Sequence, residues 1–116
     1  MVTVTIEGKE RTNMTVKETL KAARELIADR KHWTQDANAR TKRNRIVAVN
    51  APGAARWRAW GAILRARGTA DTEAFSALSK EIGGMIVTFN DTHTHKQVLA
   101  AFDAAIENRT DTRRKS

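Results

Sequence analysis

Apolar side chains recur along this chain with two different periods. Near the N-terminus, Val2, Val4 and Ile6 alternate with threonines, and a period of two in β-branched residues predicts a short strand. From Val16 the spacing changes: Val16, Leu20, Ala23 and Ile27 fall at helical intervals, and Thr15 with Glu18 has the spacing of a capping box. A helix is therefore predicted over Val16 to Ala28. Between Asp29 and Asn50 the helical period lapses. There "DANARTKRNRIVAVN" predicts a β-hairpin, with one strand over Ala37 to Arg40, a polar turn at Lys42 to Asn44 and a second strand over Ile46 to Val49.

Beyond the hairpin, Asn50 to Pro52 gives a helix start, because proline is tolerated in a first turn, and Gly68 gives the stop. Trp57, Trp60, Ile63 and Leu64 would form the apolar stripe of that helix. Asp71 or Thr72 can cap a third helix through Phe75, Leu78 and Ile82, ended by Gly83 and Gly84. "MIVTF", Met85 to Phe89, is short, apolar and β-branched, and predicts a buried strand. Thr94 with Gln97 repeats the capping-box spacing before Val98, Phe102 and Ala105, which predict a last helix ending near Asn108. The expected fold class is α+β, mainly α: about four helices, a short hairpin and an N-terminal strand. Residues 1–14 read as an N-terminal extension, 15–108 as one domain, and 109–116 as a disordered basic tail.

Composition narrows the classes of protein this can be. Of the 47 apolar residues, 19 are alanine, which leaves 28 larger ones for the core of a 116-residue chain. So thin a core leaves room for a homo-oligomer, or for burial against a partner. No apolar run approaches the roughly 20 residues of a membrane span, and "MVTVTIEGKER" lacks the basic flank and long apolar stretch of a secretion signal. The expectation is a cytoplasmic protein without membrane contact. The absence of cysteine excludes disulfides, thiol nucleophiles and thiolate metal sites.

The net charge of +8 is unevenly spread. From Arg30 to Arg67 ten basic residues face the single acid Asp36, whereas residues 68–112 sum to −4. A turn bearing Arg40, Lys42, Arg43 and Arg45, beside a helix on which Arg58 and Arg65 share a face, would present a positive surface to phosphates. No helix-turn-helix, zinc finger or RNA-binding sheet motif accompanies it, so the expected contact is to the backbone with weak sequence preference.

The stretch "TFNDTHTHKQ", Thr88 to Gln97, concentrates an Asn, an Asp and two of the three histidines. Its economical reading is a junction: Asn90 and Asp91 in a turn, Thr94 capping the next helix. Acid/base chemistry by Asp91 and His93 is the catalytic alternative. A metal set of Asp91, His93 and His95 would need an extended backbone, which a helix starting at Thr94 denies. No metal or cofactor is therefore expected.

In order and spacing, "LKAARELIADRKHW", "RWRAWGAI" and "FNDTHTHKQVLAAFDAAI" resemble a family of small bacterial and phage domains of unknown function, over roughly Thr15 to Asn108. In that family a Trp-Cys pair precedes Gly-Ala, and Trp-Asn-Asp precedes a helix start. Trp57, Gly61, Ala62, Asn90 and Asp91 match these positions, whereas Arg58 stands for the Cys and Phe89 for the Trp. The resemblance implies a compact, mostly helical fold and no particular activity. Small residues at Gly61 and Ala62 would let another helix, or the Asn90–Asp91 turn, approach closely. Trp57 and Trp60 read as core, and Trp33 as the exposed aromatic.

The expectation is a small basic, non-enzymatic binding protein of phage or mobile-element type, contacting nucleic acid or a nucleoprotein complex. The alternatives are an inhibitor or adaptor that binds a host protein, and a small enzyme centred on Asn90, Asp91 and His93.

Overall fold

In a computed structural model, which describes residues 14–108, the chain is mainly helical with a two-stranded antiparallel sheet. The predicted N-terminal strand and basic tail lie outside the described residues. Helix α1 (Val16–Leu26) begins at the capping box: the Thr15 hydroxyl accepts the Glu18 amide, and the Glu18 carboxylate accepts the Thr15 amide. A short 3-10 turn (Arg30–His32) leads to β1 (Ala39–Thr41) and β2 (Ala54–Trp57). Helices α2 (Ala59–Arg67), α3 (Thr72–Ile82), α4 (Ile86–Thr92) and α5 (His95–Glu107) follow. Asp71 caps α3, Thr94 and Gln97 form the capping box of α5, and Gly68 and Gly83 end α2 and α3 in the left-handed region.

The core is one cluster. Leu20 and Ala23 of α1 and its C-cap Ile27 meet Ile63 and Ala62 of α2, Leu78 of α3, Ile86 of α4, and Val98 and Phe102 of α5. Alanines supply much of the rest, so backbones pack closely where larger side chains are few. No helix among the described residues is long and apolar enough to cross a membrane.

Several expectations are corrected. The hairpin partner of β1 is not Ile46–Val49 but β2, in which Ala39 pairs with Trp57 and Arg40 with Arg56. The predicted turn does form, with Ile46 bridged to Arg40 and the Val47 amide bonded to the Ala39 carbonyl, but no strand extends over Ile46 to Val49. The helix expected from Pro52 starts at Ala59, because Trp57 is held in extended backbone from both sides, by Ala39 and by a parallel bridge to Trp33. Met85–Phe89 is not a strand. It runs into α4, whose inward face is Ile86 and Asn90, four residues apart. Asn90 and Asp91 accordingly belong to a helix rather than a turn. Trp33 is buried, at 8% exposure. What approaches Gly61 is neither a helix nor the Asn90–Asp91 segment. It is the Asn38 carbonyl, into which a Cβ on Gly61 would collide.

Candidate nucleic-acid interface

Residues directly opposite in an antiparallel pair share a face. Since Ala39 and Trp57 are buried, their neighbours Arg40 and Arg56 stand together on the outer face. On the other side of β1, Ile46 sits opposite Arg40 at 68% exposure. The result is a row of Arg56, Arg40 and Ile46 across three segments. Like charges placed opposite one another oppose pairing, and no carboxylate of the described residues ion-pairs with either guanidinium.

Below this row the chain reverses tightly. The Thr41 hydroxyl accepts the amides of Arg43 and Arg45 at 3.2 and 3.1 Å. The Thr41 amide donates to the Arg45 carbonyl, and the Asn44 amide to the Thr41 carbonyl, each at 2.8 Å. Asn44 takes the left-handed conformation, φ 71°, which asparagine tolerates. Arg40 Nη1 donates to the Asn44 carbonyl at 2.9 Å, bracing the turn from its base. With the backbone groups so engaged, Lys42, Arg43 and Arg45 project into solvent.

Arg58 and Arg65 do not share a helix face. Arg58 is the N-cap residue of α2, and its side chain is turned into the protein at 15% exposure. Its Nε donates to Asn38 Oδ1 at 2.9 Å and its Nη1 to Asp91 Oδ2 at 2.6 Å. Arg65 lies over the Trp57 ring, 5.4 Å from its centroid, and donates to the Val49 carbonyl, which also accepts Trp57 Nε1. The structure thus brings Arg40, Lys42, Arg43 and Arg45 together, adds Arg56, and withdraws Arg58. The basic run contains Arg56, but strand register alone puts it beside Arg40.

Asn90, buried, and Asp91, half-buried, form a polar clasp. Asn90 Oδ1 accepts Trp33 Nε1 at 2.7 Å and the Ala59 amide at 2.9 Å, and its Nδ2 donates to the Thr34 carbonyl at 3.0 Å. Asp91 Oδ1 accepts the Asp36 amide and Asn90 Nδ2, both at 2.9 Å. Gln35 adds bonds to the Asn90 and His93 carbonyls. Both Asp91 oxygens are therefore engaged in holding residues 34–38 against α2 and α4. His93 donates from Nδ1 to the Phe89 carbonyl at 2.8 Å and stacks on the Phe89 ring, without a bond to Asp91. Among the described residues no group of three or more His, Asp or Glu side chains is placed to hold a metal ion.

No curated protein and no solved structure matches the chain. Residues 11–108, however, match the profile of a family of unknown function, DUF6197, in agreement with the resemblance read from the sequence, and the chain belongs to that family.

Proposed function

We propose that this protein is a cytoplasmic, non-enzymatic binding protein that contacts nucleic acid, or a nucleic-acid complex, through the surface formed by Arg40, Arg56 and the Lys42–Arg45 turn. The observation that carries the reading is the side-by-side placement of Arg40 and Arg56, next to three exposed cations, with no carboxylate of the described residues paired to any of them. A phosphate chain supplies the missing counter-charge, and guanidinium groups match its geometry in pairs. Ile46, exposed in the same row, offers apolar contact beside the phosphate ligands.

The enzyme reading loses support from the same structure, since Asp91 spends both oxygens on Asp36, Asn90 and Arg58. The test is a salt titration of binding to labelled DNA and RNA by the full chain and its Lys42→Ala/Arg43→Ala/Arg45→Ala variant. On duplex DNA the triple variant should flatten the log–log salt slope by up to about 2.7, three phosphate contacts at ~0.9 each. An unchanged slope and affinity would remove the turn from the account. No binding by the parent chain at low salt would sink the proposal.

A further inference from the structure

Away from the basic turn, a groove of about 410 Å³ opens between the 3-10 turn and the start of α5, lined by Arg30, Trp33, Gln35, His93, Thr94, His95 and Lys96. Its two histidines are set by the backbone. His95 Nε2 lies 2.7 Å from the Ile27 carbonyl, and His93 Nδ1 2.8 Å from the Phe89 carbonyl. A carbonyl only accepts, and the Thr92 hydroxyl, 3.0 Å from His93 Nδ1, already donates to the Thr88 carbonyl at 2.7 Å, so each of those nitrogens carries the hydrogen. In the neutral rings His93 Nε2 and His95 Nδ1 are then acceptors, at fixed positions. The Trp33 ring, which also lines the groove, packs against the His95 ring with centroids 5.3 Å apart.

The charge of the lining selects the sign of the ligand. Arg30 and Lys96 are exposed cations at this groove, and among the described residues no carboxylate lines it. Asp29, next in sequence to Arg30, accepts the Lys31 amide, and Asp91 is held by Arg58. A metal cation would meet two positive charges and no anion, although the histidines are oriented as metal ligands often are. An anion meets two charge-assisted donors. The acceptor nitrogens add a second requirement, since they repel an oxyanion that has no proton to give. A phosphate monoester satisfies both, with P–O⁻ oxygens for Arg30 and Lys96 and, in its singly protonated form, a P–OH donor for an imidazole.

We propose that the groove between the 3-10 turn and α5 binds a phosphate monoester, with Arg30 and Lys96 on its anionic oxygens and one of the two ring nitrogens, His93 Nε2 or His95 Nδ1, accepting its single P–OH proton. The site is separate from the basic turn and stands or falls without it.

The experiment follows the imidazole ¹⁵N resonances of the full chain at near-neutral pH as inorganic phosphate is added, with His32, outside this groove, as internal reference. His93 and His95 should shift saturably and His32 should not. Arg30→Ala and Lys96→Ala, both at exposed positions that leave the core alone, should each weaken binding about tenfold, the loss of one charge-assisted bond. Sulfate, an anion without an acidic proton, should bind about tenfold more weakly than phosphate, by the loss of the one P–OH bond to a ring nitrogen. The triple variant of the turn should leave these shifts unchanged. Absence of a saturable shift, equal binding of sulfate, or indifference to both Arg30→Ala and Lys96→Ala would overturn the assignment. Comparing 5′-phosphorylated with 5′-hydroxyl oligonucleotides then identifies the source. A preference for the phosphorylated end that Lys96→Ala removes places the monoester on a nucleic-acid terminus; no preference, with the phosphate shifts intact, assigns the groove to a free phosphorylated molecule.

Discussion

Truncating Asn90 to alanine leaves three buried groups without partners at once: Trp33 Nε1–H, the Ala59 amide and the Thr34 carbonyl. Asn90 is fully buried, so bulk water does not replace the lost bonds directly. Each orphaned group costs about 1–3 kcal/mol, which puts the minimum near 3 kcal/mol. A water entering the vacated space would lower the upper bound, so the expected loss is about 3–5 kcal/mol out of a total stability of order 5–15 kcal/mol. Urea unfolding followed by far-UV circular dichroism measures it, with the slope of the transition checked for constancy. The partner change Trp33→Phe separates the hydrogen bond from general damage. Alone it removes a bonded donor; in the Asn90→Ala background it removes an orphan, so the two changes should couple by about 1–2 kcal/mol. A loss below about 1 kcal/mol for Asn90→Ala, or additivity within ~0.5 kcal/mol, would refute the assignment of Asn90 as the clasp.

Gly61→Ala should cost about 2–3 kcal/mol or more by the same assay, because the added methyl must displace the Asn38 backbone and with it the start of β1. Gly84→Ala, with open space around it, should stay within ~0.5 kcal/mol. Arg58→Ala leaves the Asp91 carboxylate, 17% exposed, without its counter-charge and should cost about 2–3 kcal/mol. Adding Asp91→Asn should recover part of that loss, while the salt slope of nucleic-acid binding stays that of the parent, because the Arg58 guanidinium faces inward.

Local signals made most of the helices legible. Thr15 with Glu18 and Thr94 with Gln97 satisfy backbone donors within three residues, so their capping boxes form as the spacing predicts. The failures share a cause, which is that long-range partners decided the local conformation. Ala54 and Ala55 are strong helix formers, yet they sit in β2 because Trp57 is paired on both sides. The stretch after Gly84 read as a strand because its helical period is carried by Ile86 and Asn90, and a hydropathy pattern does not count an asparagine as core. Of the candidate interface, the exposed turn was visible from its polar run. The pairing of Arg40 with Arg56 depends on register, and the withdrawal of Arg58 depends on Asp91, 33 residues away.

The Asn90 clasp also bears on the order in which the chain folds. Its bonds close loops of 57 residues to Trp33 and 31 residues to Ala59, whereas the capping boxes span three. Closure entropy is met only when many contacts form together, whereas a capping box closes within a single helical turn. Interactions formed after the transition state act on the rate of unfolding rather than of folding. Such a clasp is expected to act as a kinetic latch on segment 34–38: Asn90→Ala should speed unfolding and leave refolding unchanged, which stopped-flow kinetics measures.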